Sequence, residues 1–279
     1  MIVGVIIVLY NSENANYANL IGRSGIHLIL VDNTPGRDLE ASQSNITYIP
    51  LKENRGIAAA QNVGIHKAEE LGCTHVLFFD QDSSITILLV KKLLNAYLVV
   101  AAFDPKVAVV GPLIINRSTG LPYKTKADLS RQYSEVRELI SSGSVVALKT
   151  FQEVGSMMEL LFIDGVDFEW CWRARSMGYR CYLATGIPMK HMVGRGGKLI
   201  FRHIHILFPA PDRYYYLYRN WQILMRMAYV PWNWKAKQTF RRIMEFFFIP
   251  FLRQGYRFVC LRNMLRGWCD GIKVRSCDL

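Results

Sequence analysis

Five short runs set the possibilities for this chain: Val3–Tyr10, Ile26–Val31, Ile46–Pro50, His75–Phe79 and Val107–Ile115 are apolar along nearly their whole length and rich in β-branched residues. A strand with one wet face alternates apolar and polar residues, so unbroken runs predict strands covered by protein on both faces. Between them, Gly56–Leu71 and Ile85–Ala102 carry apolar residues at helical spacing. Strands alternating with helices predict an α/β fold on a mostly parallel sheet flanked by helices. After Ile115 the pattern is irregular through Arg131; Gly143–Lys149 then reads as a strand, Val166–Met177 as a helix and Tyr179–Ala184 as a strand. From Arg213 two or three helices are predicted, broken near Pro231 and Pro250, because proline lacks the helical N–H and clashes with the preceding turn.

The 279 residues, 51% apolar and 12% aromatic, suffice for one large domain or for a domain with an appendage. Six cysteines (Cys73, Cys171, Cys181, Cys260, Cys269, Cys277) form no CxxC pair, which argues for reduced thiols in a cytosolic protein and against a zinc or redox motif. The opening MIVGVIIVLYNS lacks the basic start, the longer apolar region and the cleavage site of a signal peptide, and is expected to be the first strand. The net charge of +12 is concentrated at one end: from Phe201 onward there are 14 Lys and Arg against 4 Asp and Glu, a balance of +10. A boundary near Pro209–Pro211 therefore divides the expected domain, 1–210, from a basic, aromatic helical tail, 211–279. Arg and Lys mixed with Tyr, Trp and Phe suit an anionic membrane surface, and no window approaches the roughly 18 apolar residues of a spanning helix. Packing of the same aromatics on the body or on a second subunit is the competing reading of the tail.

In an open α/β sheet, ligands bind beyond the carboxyl ends of the strands. Asp32, the pair Asp80 and Asp82, and Tyr10 with Asn11 each close one of the expected strands. Any single Asp in such a place can be a turn former or a helix cap. An Asp-x-Asp pair can also hold Mg2+ or Mn2+ on a nucleoside diphosphate, because these ions take hard oxygen ligands. Gln81, between the two acids, points to the opposite side if the chain stays extended. Further on, FIDGVDFEWCWRARSMGY (Phe162–Tyr179) holds Asp164, Asp167 and Glu169, followed by Arg173 and Arg175. Glu169 and Arg173 are spaced to pair on a helix, and Asp167 suits the first helical turn electrostatically. Alternatively, Asp167 is a general base, a role worth roughly 10²–10⁴ in rate. His191, just beyond an expected strand, is either structural or a metal ligand.

Taken in order, VIIVLYNS, ILVDNTP, ENRGIAAAQNVGI, VLFFDQDSS, SGSVVAL, FIDGVDFEWCWRARSMGY and MKHMVG resemble the family 2 inverting glycosyltransferases of GT-A fold. More narrowly, the chain resembles the bacterial rhamnosyltransferases of O-antigen and related cell-surface polysaccharide assembly, over about residues 2–230, and RYYYLYRNW (Arg213–Trp221) resembles the segment following their catalytic domain. The resemblance implies that Asp32 holds the nucleotide base and that Asn54, Gly56 and Asn62 shape the nucleotide pocket, with Tyr10, Asn11 and Arg173 also on the donor side. It further implies that Asp80 faces the nucleotide sugar, that Asp82 is the more direct metal ligand, and that His191 is a later ligand of metal or diphosphate. The family's Glu-Asp catalytic motif aligns with Val166-Asp167, which puts the base on Asp167, with Val in place of Glu at 166; Asp164 competes for that role.

Implied with the family are a nucleotide-sugar donor, dTDP-L-rhamnose, a polyprenyl-diphosphate-linked saccharide acceptor, and a cytoplasmic enzyme peripheral on the bacterial inner membrane. A different donor, of hexose or galactofuranose type, is the nearest alternative. A nucleic-acid-binding protein would also use basic and aromatic residues, but three acidic clusters along one sheet edge would repel phosphate. A nucleotidyltransferase would need a glycine-rich basic loop after the first strand, and Asn11–Tyr17 has neither glycine nor a basic residue.

Overall fold

The computed structural model describes residues 2–12, 17–38, 42–43, 45–191, 197–200, 204–207 and 209–275. The chain divides into two compact units, residues 1–162 with 166–191, and residues 163–165 with 192–279. The boundary expected from charge, at 210/211, falls inside the second unit.

In the first unit the strands are β1 (Val3–Leu9), β2 (Ile26–Asp32), β3 (Ser42–Gln43), β4 (Ile46–Pro50), β5 (His75–Asp80), β6 (Val107–Asn116), β7 (Tyr133–Val136), β8 (Val145–Ala147) and β9 (Arg180–His191). The helices are α1 (Gly56–Glu70), α2 (Ile87–Phe103), α3 (Leu148–Val154) and α4 (Val166–Ser176). All nine strands join one sheet in the order β3-β4-β2-β1-β5-β8-β6-β9-β7. β1 pairs in parallel with β2 and β5, β2 with β4, and β6 with β9, while β3, β7 and β8 run against their neighbours. Six strands therefore share one direction.

β1 shows why the apolar runs do not alternate. Val3, Val5 and Ile7 join a core with Leu93, Tyr97 and Val100 of α2. On the other face, Gly4 and Ile6 meet α1: a Cβ on Gly4 would lie 3.1 Å from Ala68, and one on Gly64 would lie 2.6 Å from Ile6. With helices on both sides, every position of the strand but half-buried Val8 is inside. α2 starts at the Thr86 cap, whose Oγ1 accepts the Leu89 N–H at 3.1 Å. The start of α1 is shaped by Gly56, with φ +83°, where a Cβ would come within 2.6 Å of the Phe162 ring and carbonyl oxygen. That carbonyl accepts the N–H groups of Ile57 at 2.7 Å and Ala58 at 3.4 Å, and Asn54 Oδ1 takes the Gly56 N–H at 3.1 Å.

Three expectations are corrected. The strand placed at Gly143–Lys149 is confined to Val145–Ala147, because α3 begins at Leu148. The strand ended at Ala184 continues to His191: its register on β6 shifts between Pro112/Ala184 and Leu113/Pro188, a bulge that the period-two pattern does not follow. Pro250 does not break its helix; it lies in the last turn of a helix that ends at Leu252.

In the second unit, a hairpin of β10 (Gly197–Ile200) and β11 (Ile204–Leu207) precedes α5 (Arg213–Arg226), α6 (Trp232–Leu252) and α7 (Arg257–Lys273). α5 and α7 approach backbone to backbone at two glycines. A Cβ on Gly267 would fall on the Tyr215 carbonyl, and one on Gly271 would lie 2.7 Å from the Arg219 carbonyl oxygen. Tyr214, Tyr218, Trp221, Ile249, Cys260 and Met264 form the buried core. Among the described residues no helix is long and apolar enough to cross a membrane. Cys73, Cys171, Cys181 and Cys260 are buried free thiols and Cys269 is an exposed one. Cys277, and Met192–Gly194 of the MKHMVG motif, lie outside the described residues.

Candidate active site

Parallel neighbours finish at the same edge. Leu9 pairs with Asp32 and Val8 with Asp80, so the sheet brings the ends of β2, β1 and β5 side by side. Asp32 is fully buried: Oδ1 accepts the Thr34 N–H at 2.9 Å and Oδ2 accepts the Tyr48 hydroxyl at 2.7 Å, with Arg37 Nη1 at 3.8 Å. Asn11, at φ +48°, donates its N–H to Thr34 Oγ1 at 2.8 Å, and the Tyr10 side chain is exposed beside it.

β5 stops at Asp80 in a turn closed by Ser83 N–H to the Asp80 carbonyl at 3.0 Å. The chain is therefore not extended through Gln81, and that side chain reaches back to β1 instead. Its Oε1 accepts the Tyr10 N–H at 2.7 Å and its Nε2 donates to the Tyr10 carbonyl at 3.2 Å. Carboxylate oxygens of Asp80 and Asp82 and a ring nitrogen of His191 lie within 4.8 Å of one another. His191 Nε2 is 3.5 Å from Asp80 Oδ2, and its buried Nδ1 has no hydrogen-bond partner. Two carboxylates and an imidazole at these separations fit a divalent cation of the Mg2+ or Mn2+ kind. Burial raises the Asp80 pKa, which His191 opposes and Asp82 reinforces.

Asp167 opens α4. Its Oδ1 accepts the Phe168 N–H at 2.9 Å and its Oδ2 accepts the Ser141 N–H at 3.2 Å. Burial pushes its carboxyl up to about 6; the two N–H groups work against that rise and the charge of Asp80 adds to it. The loop supplying Ser141 also braces the end of β5 at Asp80. Ser142 Oγ accepts the Asp80 N–H at 3.3 Å and lies 3.0 Å from Ser83 Oγ, and the Gly143 N–H donates to the Phe78 carbonyl at 2.7 Å. Gly143 has φ +82°, and a Cβ there would lie 2.6 Å from Pro112.

The remaining expected residues divide. Asp164, at φ +70°, belongs to the second unit, where both its oxygens grip Arg213 at 2.6 to 3.1 Å. Asn62 and Arg173, expected at the nucleotide, serve the scaffold. Asn62 exchanges hydrogen bonds with the Met157 backbone and donates to Glu159, and Arg173 donates to buried Glu169 and to the Val154 and Ser156 carbonyls. Exposed Asn54 accepts the Gly56 N–H, while Asn33, to which no sequence motif assigns a role, is buried and bridges the Arg55 N–H and the Gly56 carbonyl. Also unforeseen were Ser141, Ser142 and Arg117. The last donates to Ser84 Oγ at 3.1 Å, and its backbone N–H meets the His191 carbonyl at 3.3 Å. The adjacent glycine in SSGS was the one available signal for the serines; nothing local marked Arg117.

No family model matches the chain. A curated relative, the dTDP-rhamnosyl transferase RfbF of Shigella flexneri, is 34% identical over 244 residues, covering 81% of this chain and 80% of its own length. Of the solved structures, S. aureus TarS 1-349 in complex with UDP-GlcNAc has a TM-score of 0.55 at 15% identity, over 94% of this chain and 79% of that one. GalNAc-T7, crystallised with UDP, GalNAc and Mn2+, has a TM-score of 0.52 at 12% identity, over 69% of this chain and 44% of that longer chain. At such identities the solved structures speak for the fold, which is GT-A, and the curated relative speaks for descent. On that footing the chain belongs to the rhamnosyltransferase family of GT-A-fold glycosyltransferases.

Proposed function

We propose that the protein transfers L-rhamnose, with inversion, from dTDP-L-rhamnose to a saccharide on a polyprenyl diphosphate, at the cytoplasmic face of the bacterial inner membrane, in assembly of O-antigen or a related polysaccharide. The likeness to the Shigella dTDP-rhamnosyl transferase supports the donor. The observation that carries the chemistry is Asp167, lifted to about 6 and close enough to Asp80 to feel its charge.

The first unit carries the reaction. Tyr10, Asn11, Asp32, Asn54 and Gly56 line the nucleotide side. Asp80, Asp82 and His191 would hold Mg2+ or Mn2+, which when bound supplies positive charge to the departing diphosphate. Asp167 takes the proton of the acceptor hydroxyl as that oxygen bonds to the anomeric carbon; the bond from that carbon to the diphosphate oxygen breaks on the opposite face, and dTDP leaves with the electron pair. A β-linked donor thereby gives an α-L-rhamnoside. A carboxyl near 6 is a better base than an ordinary aspartate and is still mostly ionised at neutral pH.

The test is an assay of a panel of nucleotide sugars with a lipid-linked acceptor, with and without Mn2+ or Mg2+. Transfer from dTDP-L-rhamnose alone is expected; equal or better transfer from another nucleotide sugar overturns the donor assignment.

A further inference from the structure

α6 is held from one side only. Tyr218 donates its hydroxyl to the Arg242 carbonyl at 2.6 Å, Arg242 is buried against Glu245 and Gln238, and Ile249 joins the core of the unit. The opposite side carries Phe240, Ile243, Met244, Phe247, Phe248 and Phe251, all exposed. They fall at i, i+3, i+4, i+7, i+8 and i+11, a continuous stripe on a helix. Phe251 is 78% exposed, and beyond the helix end Phe258, 72% exposed, lies under the Arg257 guanidinium at 4.8 Å. Water-facing aromatics in this number and alignment mark an interaction surface.

Charge selects what that surface meets. α6 and α7 together hold eight Lys and Arg against Glu245 and Asp270 alone. Lys237 and Arg241 border the stripe, Arg257, Arg262, Arg266 and Lys273 are exposed on α7, and both acids already face basic partners. A second copy related by a twofold axis would set this basic rim against itself. An apolar stripe edged by cations is the pattern of a helix lying in the headgroup plane of an anionic bilayer.

We infer that the outer face of α6, with the aromatic turn into α7, docks the protein on anionic lipid. This rests on and deepens the membrane-acceptor reading above, while its vesicle-binding readout needs no sugar.

The test is flotation of the full-length protein with phosphatidylcholine vesicles, with and without phosphatidylglycerol, at low and high salt. Binding to the anionic vesicles that weakens in salt is expected, with a drop of about tenfold or more for Lys237→Gln/Arg241→Gln, since each basic residue near such a surface contributes on the order of a factor of five. Phe247→Glu/Phe251→Glu should abolish binding, with an unchanged circular dichroism spectrum and an unchanged rate on a water-soluble acceptor. Binding that is absent, or equal in wild type and both variants, overturns the inference. So does a wild-type dimer in sedimentation that Phe247→Glu/Phe251→Glu converts to monomer, because a second copy is then the occupant. Vesicle binding without rhamnosyl transfer would sink the donor reading and leave the docking face standing.

Discussion

His191 Nε2 lies 3.5 Å from Asp80 Oδ2 although β9 and β5, the strands that carry them, are separated in the sheet by β8 and β6. β8 is only three residues long, whereas β6 and β9 continue past it, and the bulge at Ala184–Pro188 re-aims the end of β9. The proposed ligand set thus depends on a strand irregularity as much as on the Asp-x-Asp pair. Asp82→Ala and His191→Ala should each weaken Mn2+ binding in the presence of dTDP by at least about tenfold, a ligand mattering no less than the outer-shell groups for which 10–100-fold is usual. Calorimetric titration checks this, and wild-type affinity in either variant would remove that residue from the set.

Asp167→Asn should lower kcat by about 10²–10⁴ while leaving dTDP affinity near that of wild type. Asp164→Asn should behave differently. It removes the carboxylate that grips the Arg213 guanidinium, while the bonds from Asn220 to the Ile163 and Asp164 backbone carbonyls remain, so its primary effect is on the stability of the second unit. Parallel rate and thermal-unfolding measurements separate the two. A larger rate loss in Asp164→Asn than in Asp167→Asn would transfer the base.

The raised carboxyl of Asp167 gives two pH dependences of opposite sense. As a base it must be ionised, so kcat/KM should fall as pH drops through about 6. In the folded protein the group holds its proton from the usual 3.8 up to about 6, where the unfolded chain has already lost it, so its contribution to stability declines as pH rises through that window. Asp167→Asn should therefore raise Tm at pH 8 relative to its effect at pH 4. A pH-independent change in Tm would contradict the buried, proton-retaining carboxyl.

Ser142 joins the end of β5, Ser83 and the loop that holds Asp167. Ser142→Ala should cost 10–100-fold in metal-dependent turnover, the range typical of outer-shell partners, with unfolding little changed. Restoration by Ser142→Thr would identify the hydroxyl as the active element; loss in both variants would point to packing instead.

Gly56→Ala imposes a side chain at φ +83° and within 2.6 Å of Phe162. The expected cost is about 1–3 kcal/mol of stability from overpacking and strain, read by denaturant unfolding. A neutral result would mean that the Phe162 loop yields easily.

The sheet was legible because β1, β2, β5 and β6 are buried on both faces, and that leaves a run of Val, Ile, Leu and Phe that little else produces. Asp80, Asp82 and Asp167 were legible as acids at element ends. What could not be read was whatever depends on distant partners. Arg173 looks like a site cation in one dimension, but its donors are occupied by Glu169, Val154 and Ser156. Asn62 is similarly tied to a loop 95 residues away. Ser141 contributes only a backbone N–H, a group that every residue but proline has, so no side-chain pattern announces it. Asp164 and Asp167 stand three residues apart in sequence and could be separated only by the Arg213 pairing.

The Phe162 carbonyl seated on the first turn of α1 has an electrostatic consequence. A bare helix end would present unpaired N–H groups and a partial positive charge, the usual answer of nucleotide-binding sheets to a diphosphate. Here Gly56, Ile57 and Ala58 already donate to Asn54 and Phe162, and the first turns of α2 and α4 are likewise engaged by Thr86 and Asp167. In the proposed reaction, the positive charge for a leaving diphosphate would therefore fall to a cation held by Asp80, Asp82 and His191, and not to a helix end.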